Sequence, residues 1–173
     1  MPLYQFKDKS PSLAEGVFIA PSADIIGDVT LGQNANLWYN VVARGDINKI
    51  VIGENTNIQD LSMLHVIDDI PLIVEHNVSV GHHVTLHACT IEHSCLIGMG
   101  ATVLDGACIG SNSVVAAGSV VPPGKSYPSG VMIMGSPAVV KRDLTAAELY
   151  QYANHYKSYL IAKDEFLKNI RRL

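Results

Sequence analysis

Two histidines in this chain each follow a leucine in the same way, as Leu64-His65 and Leu86-His87, and a third, His82, lies between them beside His83. Neutral imidazole is a common ligand for divalent metals. Three such ligands leave one position or more open for water, which is the pattern of a catalytic zinc site and not of a structural one. A metal held this way lowers the pKa of bound water to roughly 7 and makes hydroxide available at neutral pH. Whether these histidines can share an ion depends on the elements that place them.

Those elements are announced by an aliphatic residue that returns every six positions. Ile19, Ile25, Leu31 and Leu37 share one phase; Ile52, Ile58 and Leu64 a second; Val74, Val80 and Leu86 a third; Ile97, Val103, Ile109, Val115 and Val121 a fourth. Six is neither the helical period nor a sustained strand alternation. Short repeats of this kind predict a parallel β-helix, each repeat a strand plus a corner, with three repeats closing one coil. His65 and His87 are 22 residues apart, one 18-residue coil plus four inserted residues. Both should therefore leave the same face on adjacent rungs, about 4.8 Å apart, a spacing that suits a shared divalent metal. His82 falls near the preceding corner, so within one subunit it does not easily converge with the other two. Across a threefold interface it could, although His83 competes with it for that role. His76, His93 and His155 read as ordinary surface or core residues.

Two interruptions mark loops. The interval from Leu37 to Ile52 is 15 residues and contains Arg44-Gly45-Asp46; that from Leu64 to Val74 is 10 and contains Asp68-Asp69-Ile70-Pro71. Insertions in repeat proteins map to loops, often on the binding face. Arg44 and Asp46, two apart on a strand, are expected to find partners across an interface instead of each other. The repeats span about residues 19–121 within a β-helix domain of residues 1–140. A Pro- and Gly-rich stretch over 122–140 reads as an irregular connection, and 141–173 as a C-terminal helix packed on the solenoid. Thr145-Ala146-Ala147-Glu148 fits a capping box, and apolar residues from Leu149 to Ile170 recur at helical spacing to about Arg171.

Only 16% of the residues are charged, a lean surface that implies burial between subunits. The net charge of -4 leaves no basic stripe for nucleic acid. No run of apolar residues is long enough to span a membrane, and Met1-Pro2-Leu3-Tyr4 does not open like a signal peptide, which favours the cytoplasm. Cys89, Cys95 and Cys108 form no paired motif and read as reduced, space-filling thiols.

Taken together, the repeats, Arg44-Gly45-Asp46, Asn57-Ile58-Gln59-Asp60, Met63-Leu64-His65, Val80-Gly81-His82 and Leu86-His87 resemble the γ-class carbonic anhydrase-like hexapeptide-repeat family, in particular its short bacterial branch. The resemblance implies an all-β solenoid, a left-handed parallel β-helix with a C-terminal α-helix, assembled as a homotrimer. Metal would sit between subunits, held by His65 and His87 of one and His82 of the next. The metal would be zinc, with iron or cobalt as alternatives, and the reaction the reversible hydration of CO2 to bicarbonate. Arg44 and Asp46 resemble an interface ion pair, with Asp60 in the same network. Gln59 resembles a residue that hydrogen-bonds the metal's water, and Tyr152 and Asn154 resemble helix residues that approach the site.

The match departs from the family at two proton-transfer positions. A glutamate is expected after Arg-Gly-Asp, where this chain has Ile47, and another three residues after the first metal histidine, where it has Asp68. Loss of these carboxylates attacks discharge of the proton and spares metal binding, so hydration is expected to be weak. Asp68 could act as a shorter substitute. Two other functions stay open: acyl-CoA chemistry, as a thioesterase or acyltransferase, and a non-catalytic metal-stabilised accessory protein.

Overall fold

A computed structural model describes residues 3–171. The chain folds as a left-handed parallel β-helix followed by two short helices. Three columns of side chains fill the triangular core. On the first face Ile25, Ala43, Leu64, Leu86, Val103 and Val121 pair in succession. The second carries Leu13, Leu31, Ile52, Val74, Ile91, Ile109 and Tyr127. The third carries Ile19, Leu37, Ile58, Val80, Ile97, Val115 and Ile133. The first two faces are hydrogen-bonded as one sheet because Asp24–Leu31 and Val42–Ile52 run unbroken around the corner between them.

Sequence explains the corners as well as the core. Residues that take a left-handed backbone recur there, among them Asn34, Asn55 and Asn77, whose φ values are 58°, 58° and 59°. Asparagine tolerates that region better than most residues because its short amide can bond locally. These three amides also stack, Asn55 Nδ2 donating to Asn77 Oδ1 at 3.0 Å. The glycine after an aliphatic residue has a different cause. A Cβ on Gly98 would lie 2.4 Å from the backbone nitrogen of Ala117, so adjacent coils approach too closely for a side chain.

Residues 122–140 are not an irregular connection. Ser126–Tyr127 and Val131–Gly135 continue the solenoid, and Ala138–Asp143 turns back antiparallel against the latter. The six-residue period persists through Val121, Tyr127 and Ile133; an aromatic ring in an aliphatic place masks it. The closing strand covers the edge of the third-face sheet, which would otherwise offer unpaired backbone groups to another chain.

The expected single helix is two: α1, Ala146–Ala153, and α2, Tyr156–Asn169. They part where Asn154 caps α1 and its Nδ2 donates back to the Tyr150 carbonyl at 2.7 Å. The break lets α2 lie on the third face, where Tyr159, Ala162 and Phe166 pack against Phe18, Ala20 and Trp38. The Trp38 and Phe166 rings meet edge-on at 5.0 Å.

The capping box forms as its residues predict: Thr145 Oγ1 accepts from the Glu148 N–H, and Glu148 accepts from the Thr145 N–H. The Arg142 guanidinium, with help from Thr145, holds the Glu148 carboxyl at about 2 instead of its ordinary 4.5. A depressed carboxyl stabilises the fold fully above its unfolded value and loses that contribution as pH falls through the folded one. We therefore expect α1 to fray between about pH 4.5 and 2 while the solenoid persists. Backbone amide shifts of residues 146–153 followed through an acid titration check this; Glu148→Gln should flatten the dependence.

Cys89 and Cys95 are buried and unpaired. Burial pushes the Cys95 thiol up to about 12 and the Cys89 thiol higher still. Neither is available as a thiolate at neutral pH.

Candidate metal centre

The register carries the histidines to one place. Leu64 pairs with Leu86 and His65 with His87, while Arg44 pairs with His65 on the coil before. Leu64 and Leu86 point into the core, so strand alternation turns the two imidazoles outward from the first face. His65 Nδ1 lies 3.1 Å from His87 Nε2, and the rings are tilted with centroids 5.2 Å apart.

Each ring has a carboxylate on its other nitrogen. His65 Nε2 lies 3.1 Å from Asp46 Oδ1, and His87 Nδ1 contacts Asp105 Oδ1. A neutral imidazole has one N–H, and a carboxylate can only accept. With both protons spent on carboxylates, two lone pairs face each other across 3.1 Å. Only a cation or a shared proton satisfies them. Two nitrogens bound to one tetrahedral zinc at 2.0–2.1 Å are separated by about 3.3 Å. The pair therefore fits a divalent metal in both chemistry and spacing.

His82 sits at the preceding corner, with Nδ1 3.0 Å from Asp60 Oδ2. His83 takes the left-handed corner conformation, φ 62°, and its N–H donates to the Asp60 carbonyl at 2.9 Å. That backbone role separates the two neighbours: His83 makes the turn, and His82 carries a ring oriented by a carboxylate. Among the described residues, no three His, Cys, Asp or Glu side chains of one chain converge as a metal-binding group.

The expected lack of a direct bond between Arg44 and Asp46 is not what the fold shows. Arg44 and Asp46 do pair with each other, Arg44 Nη1 to Asp46 Oδ2. Residues two apart leave a strand on the same side, and the arginine stem is long enough to reach. Burial pushes the Asp46 carboxyl up, but hydrogen bonds from His65 and Arg44 outweigh it and hold it below the ordinary carboxylate range. Among the described residues of one chain Asp60 is not in their network; it lies at another corner, accepting from His82 and from the Tyr39 N–H at 3.2 Å.

Gln59 is buried, and its Nε2 donates to Asn57 Oδ1 at 3.0 Å. Asn57 in turn donates to Ser79 Oγ at 2.8 Å, and His155 Nδ1 lies 3.2 Å from the same hydroxyl. A polar chain thus runs from Gln59 to the helical segment through His155, which its sequence position did not single out. Burial pushes the His155 imidazole down. Tyr152 is half-buried and Asn154 caps α1; neither side chain bonds the three histidines among the described residues. Asp68 and Ile47 are exposed. The inserted loop is tied down by its backbone: Asn48 Nδ2 donates to the Asp68 carbonyl at 2.8 Å.

Asp105 was missed in the sequence. Its signal is an acidic residue one 18-residue coil beyond His87, in the corner Asp105-Gly106, and the coil count that relates His65 to His87 would have found it.

The chain resembles several known proteins. The profile of the bacterial transferase hexapeptide family (six repeats) matches residues 88–123. The Escherichia coli protein YrdA is 40% identical over 172 residues, covering 95% of this chain and 94% of its own. Gamma carbonic anhydrase 2 of Arabidopsis thaliana mitochondria is 46% identical over 81 residues, 43% of this chain. That stretch spans only 29% of the Arabidopsis protein. A hexapeptide transferase family protein from Anaplasma phagocytophilum has the same fold, with a TM-score of 0.91 at 38% identity over 95% of this chain and 97% of that one. Among the described residues no helix is long and apolar enough to cross a membrane.

Proposed function

This chain belongs to the γ-carbonic-anhydrase-like hexapeptide-repeat family, and we propose that it is a metal-dependent enzyme that reversibly hydrates CO2 to bicarbonate. The observation that carries this reading is the convergence of His65 Nδ1 and His87 Nε2 at 3.1 Å, each ring with its other nitrogen on a carboxylate. These two would hold the ion, zinc first and iron or cobalt as substitutes, with His82 supplied by a neighbouring copy in a homotrimer. Asp60 accepts a hydrogen bond from the Nδ1–H of His82 and leaves Nε2 available as a ligand. When bound, the metal supplies Lewis-acid chemistry that makes water acidic near pH 7.

The protein's own groups orient and move protons around that water. Gln59 offers an amide able to donate and accept, held by Asn57. The ion pair with Arg44 keeps the Asp46 carboxylate ionised and accepting from His65. The weak point is proton export. Ile47 carries no proton, and Asp68 stands in solvent with only its backbone anchored. Turnover is then limited by exchange with bulk buffer, so hydration should rise with buffer concentration.

The test is metal analysis of gently purified protein together with stopped-flow CO2 hydration, with and without a chelator. About one zinc or iron per chain and a chelator-sensitive hydratase support the reading. A folded protein without metal affinity overturns it. A second reading, acyl transfer or thioester hydrolysis, is favoured by the transferase name of the Anaplasma relative and by a surface cleft of about 250 Å³ lined by Gln59, Gly81, Ile97 and Gly98 of the solenoid and by His155. Activity confined to acyl-CoA substrates would establish it.

A further inference from the structure

We propose that Asp105 is the positioning residue of the metal centre, acting through His87: its carboxylate accepts a hydrogen bond from Nδ1–H, fixes the tautomer, and keeps Nε2 as a bare acceptor facing His65. This rests on the reading of His65 and His87 as ligands.

Three observations carry it. Asp105 Oδ1 contacts His87 Nδ1 from the following coil. The corner that bears the carboxylate is pinned on both sides, because the Gly106 N–H donates to the Ala88 carbonyl at 2.7 Å and the Asp105 carbonyl accepts from the Gly124 N–H at 2.8 Å. A side chain on so constrained a backbone holds its direction at little entropic cost. The third observation is the nitrogen pair itself. Without Asp105, His87 is free to move its proton to Nε2 and donate it to His65 Nδ1, 3.1 Å away. That ordinary hydrogen bond would satisfy both rings and close the site against metal. The carboxylate prevents this self-pairing. Asp46 does the corresponding job for His65 and is itself held by Arg44, whereas Asp105 shows no basic side-chain partner other than His87 among the described residues. Its effect therefore passes through His87 alone.

The experiment compares the parent protein with Asp105→Ala and Asp105→Asn. Zinc affinity is measured by competition with a chromophoric chelator, and the protonation of the His87 ring nitrogens by 15N NMR of the metal-free and zinc-loaded proteins. Loss of an outer-shell partner typically weakens metal binding 10–100-fold, and Asp105→Ala is expected in that range, with its melting temperature little changed. Its metal-free His87 should carry the proton on Nε2, where the parent carries it on Nδ1. Asp105→Asn keeps an acceptor oxygen and should fall between the two; it also carries the test if the alanine variant folds poorly. Unchanged zinc affinity with His87 still protonated at Nδ1 would overturn the proposal. If the parent itself binds no zinc, the ligand reading fails, while the tautomer of metal-free His87 still decides the role of Asp105.

Discussion

Replacing His65 by alanine should remove the metal without unfolding the protein. The solenoid core beneath His65 is Leu64, paired with Ala43 and Leu86 and inaccessible to solvent. The imidazole points away from that core, so its removal leaves no internal cavity. Nor does it strand a charge, since Asp46 keeps its ion pair with Arg44. What disappears is one of the two nitrogens that converge at 3.1 Å. Losing a ligand should cost more than the roughly 10–100-fold typical of an outer partner. Metal content is expected to fall from about one per chain to background, and CO2 hydration with it. Circular dichroism and the melting temperature of the metal-free protein should match the parent stripped of metal. Metal retained at parental stoichiometry would show that His65 is not a ligand; a collapsed fold would show that the site carries structural load.

Leu86→Ala should do the opposite, damaging stability by an amount the His65 variant does not approach. Leu86 is fully buried in the first-face column between Leu64 and Val103. Each coil contacts only its neighbours, so no distant element can move in to refill the space. Large-to-small changes at such positions cost about 2–5 kcal/mol. Exposed Ile161 on α2 provides the control, where alanine is expected to change stability by less than about 0.5 kcal/mol. Denaturant unfolding at equal protein concentration reads both. A Leu86→Ala loss below about 1 kcal/mol would mean that the column is loosely packed. Because Leu86 precedes His87, metal affinity should weaken in the same variant.

The architecture was legible because one residue type repeats with the geometry. An aliphatic side chain every sixth position is both the pattern in the chain and the column in the core, and Leu64 and Leu86 stack where the coil count puts them. The count held across the four-residue insertion because that loop adds residues at a corner and leaves the faces in register. It lost the last coil, where Tyr127 fills an aliphatic place, and it overran the helix break, where the Asn154 backbone leaves the helical region at φ -103°, ψ 3° and its side chain bonds the Tyr150 carbonyl. The capping box was legible for a different reason: all of its contacts lie within four residues.

The site divides along the same line. Periodicity determines which residues share a face, so the pairing of His65 with His87 could be read from the chain. Which nitrogen of each ring is free could not, because that depends on carboxylates brought in from other coils. Asp46 and Asp105 reach the two rings from 19 and 18 residues away, with Asp105 at a corner displaced from the strand register. A proton's position on an imidazole is set by what the other nitrogen touches, and that contact exists only once the coils are stacked. The pairing of Arg44 with Asp46 belongs with it: spacing brings the two side chains to one face, and the folded path of the strand lets them meet. The repeat therefore locates the centre, while packing between coils sets its protonation and hence its appetite for a cation.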